Sequence, residues 1–346
     1  MRFLVTLLVV FAMAVLAYSA PARVFVFTDI NIDQGDPDDR QSLIHLFWFA
    51  DELSIQGIVP ERWNAGSVDA CEMAIAAYDD DFKANDWDKQ GYPTAEELEA
   101  TLAKSDSDAI ARFAAAAGAS SRDDPLYVLV WGNMRLLQRA LDAHPNVPSK
   151  IRILTIGTHL LMEKDRPHLP PNWAVMDRPC EQPNWNGRGR DSVFNDARFL
   201  DLWWLEMNWT YAGMFTGPEP EQMFEKLGEF GALGTHLHDV VANQPWARYF
   251  RVGDTPTVLY LIDPESDRND PTRSSWAGRF VRPFPQTRPN YYADHAGNVG
   301  WNYADPCATW SNHVAVSAHA RSTLEQERPE MYRALLEKLS ALYAKK

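Results

Sequence analysis

Hydrophobic positions along the chain follow two rhythms. Short unbroken apolar runs, "RVFVFTD", "SIQGIVP", "LYVLVWG" and "KIRILTIG", carry β-branched and aromatic residues with little polar alternation. Strands buried on both faces of a parallel sheet read this way. Between them lie longer stretches with helical patterning: "DDRQSLIHLFWFADEL", "GSVDACEMAIAAYDDDF", "TAEELEATLAK" and "NMRLLQRALDAH". The first of these opens with acidic residues, which suit the positive N-terminal end of a helix dipole. Strand and helix alternate from residue 23 to about 158. That alternation predicts an α/β fold with a doubly wound, mostly parallel sheet and helices on both faces.

Beyond that point the rhythm breaks. Residues 164–192 are rich in Pro, Gly, Asn and Trp and predict a long loop, either the rim of a site or a surface insertion. "NDARFLDLWWLEMNW" predicts a helix and "DTPTVLYLI" a further apolar segment. "HLH" at 236–238 suggests a strand with two histidines on one face, and 263–310 a second Pro/Arg/Trp-rich loop. The closing "LEQERPEMYRALLEKLSALYAKK" predicts an amphipathic helix with lysines at its C-terminal end, packed on the domain and not on lipid.

Composition narrows the function. Residues 1–20 carry Arg2, the apolar run "FLVTLLVVFAMAVLA" and the small residues "AYSA", the pattern of a cleavable signal peptide. The alternative is an uncleaved anchor. The expected mature protein begins near Tyr18 or Ala20, is secreted or periplasmic, and forms one domain over 21–346. With 33 basic and 47 acidic residues the net charge is −14, which repels nucleic-acid polymers and anionic membranes. The 13 tryptophans allow a sizeable core. Cys71, Cys180 and Cys307 lack any CxxC spacing; zinc is disfavoured and one disulfide stays open, its pairing unread. There is no GxSxG, P-loop or GxGxxG, so serine hydrolase, NTPase and dinucleotide readings lack their motifs. A small-molecule partner fits best, and a homo-oligomer stays open.

The densest chemistry lies in "FTDINIDQGDPDDRQ", where Asp29, Asp33, Asp36, Asp38 and Asp39 crowd between an apolar strand and an apolar helix. Like charges this close repel unless a cation sits among them. In an open parallel sheet ligands bind at the C-terminal ends of strands, where Asp29 stands. Carboxylates without His or Cys suit calcium or magnesium; the alternative is a solvated acidic loop capping a helix. An EF-hand is excluded, because the central Gly and terminal Glu are missing at the needed offsets.

Strand, Asp, a short gap, Asp-Asp and an apolar helix resemble the N-terminal signature of the nucleoside hydrolases. The resemblance is closer still to the nucleoside hydrolase-like domain of secreted bacterial proteins described as cellulose-binding. Three further segments fit in order: "YVLVWGNMRLLQRAL" is similar to the strand–Gly–helix unit whose strand-end carbonyl binds calcium, "FGALGTHL" to a Gly-Pro-Leu-Gly element, and "GDTPTVLYLIDPESDRNDPTRSSWAGRF" to the group's Gly-Asp-Thr-Pro and Trp-Gly-Gly-Arg segments. The resemblance covers roughly residues 23–285. It implies a calcium-dependent hydrolase of an N- or O-furanosyl bond, in a nucleoside or pentofuranoside, or else a carbohydrate-binding protein that keeps the fold without catalysis. Asp29 would begin the cluster, Asp39 and Asp254 would hold the metal, the Trp131 carbonyl would join them, and Asp38 would deprotonate the attacking water. Two departures stand out. The gap between Asp29 and Asp38 is three residues longer than in the family, so Asp33 or Asp36 takes the second ligand position. The family's His before the distal Asp is here Gly253; His238, in "LHDVV", is the rival for that pair. Trp63, Trp131, Trp185 and Trp276 offer faces for a base or sugar, though each also reads as core. Asn133 and Arg279 complete the substrate candidates, with a structural salt bridge as the other reading of Arg279.

Overall fold

A computed structural model describes residues 21–32, 37–158, 189–241 and 248–344. Its strands are β1 (Ala22–Thr28), β2 (Leu53–Pro60), β3 (Leu126–Val130), β4 (Ile151–Ile156), β5 (Trp203–Met207), β6 (Phe280–Val281) and β7 (Tyr291–Asp294). They form one sheet in the order β2-β1-β3-β4-β5-β7-β6, parallel throughout except for β6 against β7. The chain leaves β1 for β2 on one side, then returns to lay β3 on the other. The carboxyl ends of β1 and β3 therefore flank the topological switch point, where such sheets open a crevice.

In chain order the helices are α1 (Asp38–Trp48), α2 (Ser67–Ala84), α3 (Ala95–Thr101), α4 (Asp106–Gly118), α5 (Arg135–Ala143) and α6 (Arg190–Phe194). They continue with α7 (Glu219–Leu227), α8 (Gly231–Asp239), α9 (Pro256–Ile262), α10 (His313–Glu325) and α11 (Arg328–Leu342). Side chains alternate across the sheet, as the strand repeat demands. Val24, Val26, Tyr127, Leu129 and Leu154 enter one core with α1, α2, α8, α9 and α11. Phe25, Phe27, Val128, Val130 and Ile153 enter the other with α4 and α5. The expected doubly wound architecture is present.

Four local expectations change. The stretch expected as helix at 195–209 contains β5, whose Glu206 is fully buried. The segment expected as a loop over 263–310 carries β6 and β7. "HLH" lies in α8, not in a strand. The C-terminal segment is two helices, broken before Arg328 and Pro329. As expected, α11 packs on the protein: Leu335 and Leu339 are buried, and Lys338 bridges Asp51 and Glu52 at 2.8 and 2.7 Å. Among the described residues no helix is long and apolar enough to cross a membrane. Cys307 is disulfide-bonded, whereas Cys71 is buried and free.

Two buried polar features matter for stability. Glu206 receives Arg190 through Nε and Nη2, both at 2.9 Å, and also the hydroxyls of Thr158 and Tyr291. Burial alone would push its carboxyl up, but Arg190 reverses this and holds it below the ordinary glutamate range. His45, on α1, has the opposite situation. Its ring packs against Phe49 and Phe250, and both nitrogens are buried without a partner. Burial lowers its pKa to about 3. The unfolded chain binds a proton near pH 6.5 and the folded one does not, so stability falls as pH drops through that window. A His45→Phe variant should lack this loss. Its unfolding free energy relative to the parent should rise by about 1.4 kcal/mol per pH unit between pH 6 and 4. Denaturant titrations of both proteins across that range test it, and parallel curves would refute it.

Candidate functional site

The end of β1 is tied directly to the start of α1. Thr28 is fully buried; its hydroxyl donates to Asp39 Oδ1 and accepts the Ile30 N–H at 3.1 Å. Asp38 and Asp39 occupy the first turn of α1, after Pro37. The Asp39 N–H donates to Asp38 Oδ1 at 3.1 Å, which fixes the rotamer of the more exposed carboxylate. Asp29 follows Thr28 and is buried against the turn after β3. A Cβ on Gly132 would lie 3.0 Å from the Asp29 nitrogen and Cβ. Only glycine lets the two strand ends approach this closely.

Asp254 arrives from the far side of the sequence, two residues ahead of α9. Its backbone carbonyl accepts the Thr257 hydroxyl at 2.8 Å, and Thr257 Oγ1 in turn accepts the Trp131 indole N–H at 2.8 Å. Trp131, the residue after β3, thus anchors the Asp254 turn. One carboxylate oxygen from each of Asp38, Asp39 and Asp254 lies within 4.8 Å of the others. Asp39 and Asp254 are buried and Asp38 is half-buried. Calcium–oxygen bonds of about 2.3–2.6 Å allow ligand oxygens roughly 5 Å apart across the ion. Hard carboxylate donors at this spacing fit such a cation.

Gly253 closes the site from the other side. A Cβ there would stand 3.1 Å from Asp38 Oδ2 and 3.3 Å from Phe215. A side chain at this position would have to displace the carboxylate or the ring. A histidine here, as in the nucleoside hydrolase pattern, would need one of them to give by a few tenths of an ångström.

The family described as "Cellulose-binding Sde182, nucleoside hydrolase-like domain" matches residues 23–280. The chain belongs to that family. The fold of the Sde182 domain is also that of a nucleoside hydrolase-related protein from Saccharophagus degradans, described as associated with carbohydrate metabolism. That protein shares 17% identity at a TM-score of 0.56, over 93% of this chain and 72% of its own. An inosine-uridine preferring nucleoside hydrolase from Bacillus anthracis aligns at 14% identity and a TM-score of 0.43, over 68% of this chain and 80% of its own. No curated protein matches the chain.

Against this Sde182 frame, the sequence candidates divide. Asp38, Asp39 and Asp254 converge, whereas Asp29, at the end of β1, is not among the carboxylates brought together there. Trp131 is joined to the Asp254 turn through Thr257, and its side chain is core. Trp63 and Asn133 line an adjoining cleft. Asp33, Asp36 and Trp185 lie outside the described residues. Three candidates sit elsewhere. His238 stacks on Phe224 at 4.2 Å, with Nε2 bonded to the Phe224 carbonyl at 2.7 Å. Trp276 is buried beside Asp263, whose carboxylate accepts its N–H at 2.9 Å at the opposite end of α9 from Asp254. Arg279 is exposed next to the edge strand β6, four strand spacings or about 19 Å across the sheet from β3.

Sequence reasoning passed over Glu61. It directly follows β2, and its N–H donates to the Thr28 carbonyl at 2.8 Å. Burial, with Asp29 and Asp106 nearby, pushes its carboxyl well above the ordinary range against the pull of Arg135. The rule that singled out Asp29, a carboxylate at the end of a buried strand, applies equally to Glu61.

Proposed function

We propose that the protein is an exported, calcium-dependent hydrolase of an N- or O-furanosyl bond. The observation that carries this reading is the convergence of Asp38, Asp39 and Asp254 at the switch point. Calcium bound there supplies an anchor for sugar hydroxyls and lowers the pKa of a water. Asp39 and Asp254, the buried pair, hold the ion. Asp38 reaches furthest toward solvent and takes a proton from the attacking water onto a carboxylate oxygen. The water oxygen bonds to the anomeric carbon, and the leaving group departs with the electron pair of the broken bond. The tie from Thr28 to Asp39 and the tie from Trp131 through Thr257 to Asp254 keep the ligands in place before the ion arrives. A disulfide at Cys307 fits an oxidising compartment and supports export.

A non-catalytic saccharide-binding role is the second reading. It is favoured by Gly253, which offers the leaving group no side chain, and by the cellulose-binding description of the family.

The metal assignment is tested by calorimetry on chelator-stripped protein. One calcium should bind, and Asp39→Ala or Asp254→Ala should weaken it by about tenfold or more, roughly 1.4 kcal/mol. Unchanged affinity in either variant, or no binding below millimolar calcium, would falsify the site.

A further inference from the structure

Beside Asp29, the ends of β2 and β3 enclose a cleft of about 410 Å³ lined by Glu61, Trp63, Asp106, Asn133, Arg135 and Arg139. None of the three clustered carboxylates lines it, and its tie to them runs through the strand ends. Glu61 is bonded through its backbone to Thr28, and Asn133 and Arg135 follow the Gly132 that touches Asp29. The volume suits one small ring system and its substituents.

The lining is organised around one aromatic face. Trp63 is half-buried, and its indole N–H donates to Asp106 Oδ1 at 2.7 Å. The other oxygen of Asp106 is held by Arg139. That clamp fixes the indole plane, and among the described residues neither a ring nor a guanidinium stacks on it. The rest of the named lining is polar. Glu61 Oε1 is shut off from solvent and has no hydrogen-bond partner in the folded chain. A buried acceptor left unmatched is costly unless a ligand supplies the donor. The Asn133 side-chain oxygen already accepts the Arg135 N–H at 3.0 Å, which presents its amide nitrogen as a donor.

A nucleobase is a flat ring held best between aromatic or apolar walls. This cleft has one aromatic side chain in a lining otherwise rich in charged and polar groups. A sugar ring has the complementary character, with an apolar C–H face for the indole and hydroxyls around its edge for Glu61, Asn133 and Arg135. We infer that the cleft is a second sugar subsite, so that the group leaving the furanosyl unit is a saccharide and not a nucleobase. The inference rests on the hydrolase reading above, whose metal site holds the first sugar.

The test uses calcium-saturated protein in an Asp38→Asn background, so that ligands survive the titration. Arabinose and arabinobiose form one pair of probes, ribose and uridine the other. Arabinobiose should bind at least tenfold tighter than arabinose, about 1.4 kcal/mol, and uridine should gain less than this over ribose. Trp63→Ala and Glu61→Gln should each bring the arabinobiose-to-arabinose ratio to within about twofold of unity, with calcium affinity unchanged. Glu61→Gln is nearly isosteric and guards against a folding defect in the tryptophan variant. A disaccharide gain that survives both substitutions overturns the subsite, as does a uridine gain larger than the disaccharide's. If neither monosaccharide binds the calcium-loaded protein, the hydrolase reading itself falls and takes this inference with it. Failure of the subsite alone leaves monosaccharide binding intact.

Discussion

Exchange of Asp38 for Asn should cut hydrolytic turnover about a hundredfold or more, some 2.7 kcal/mol in the barrier, while calcium affinity stays within about tenfold. Asn keeps the shape of the side chain and can still accept the Asp39 N–H that now reaches Asp38 Oδ1 at 3.1 Å. It cannot take a proton from water. Asp39 and Asp254 are different: each is buried in the acidic cluster, and removing either should lower metal binding and turnover together. The measurement is pentose release from a panel of nucleosides, aryl pentofuranosides and furanosyl disaccharides, with and without chelator. Turnover indifferent to chelator would place the chemistry elsewhere. Parallel loss of both properties in Asp38→Asn would demote Asp38 to a ligand. No release from any substrate, beside measurable binding to polysaccharide, would favour the binding-protein reading.

The second large effect concerns the fold. Arg190→Leu should destabilise the protein by about 3–5 kcal/mol near pH 7, because it strands the fully buried Glu206 carboxylate. The double variant Arg190→Leu/Glu206→Leu should recover most of that loss, since replacing both ions removes the desolvation cost as well as the attraction. Urea unfolding at constant m-value reads both. The contribution of the wild-type pair is present above the ordinary glutamate pKa and declines as pH falls, because the folded-state value lies lower. A single variant as stable as the parent, or a double variant no better than the single, would show that the network adds nothing.

What could be read from the sequence follows physical lines. Strands β1 to β4 are dominated by apolar side chains, most of them buried, and such strands announce themselves. In "WWLEM" of β5 the same position in the sheet carries Glu206, a residue that looks solvent-seeking until Arg190 is known to meet it. Leu, Glu and Met also favour helix. Strand β7, "YYAD", is four residues long between Pro- and Gly-rich turns, too short for periodicity to register. Helix α4 had a legible start, since Ser105 caps it by accepting the Asp108 N–H, and was passed over.

The site shows the same division. The strand-end rule and the family pattern together led to Asp38, Asp39 and Asp254, the last far from the other two in the sequence but close to them in the structure. Tryptophans were harder, because a half-buried platform such as Trp63 and a core residue such as Trp276 have identical letters. His238 looked catalytic because an aspartate follows it, but its ring is committed to Phe224. Only tertiary neighbours separate such cases.

Gly253 makes the position of the Asp38 carboxylate depend on what stands beside it. A Cβ at 253 would lie 3.1 Å from Asp38 Oδ2 and 3.3 Å from Phe215, so any side chain introduced there moves the carboxylate or the ring by a few tenths of an ångström. Position 253 is therefore a dial on where that carboxylate sits, whereas the lining of the cleft beyond β2 and β3 contains neither residue.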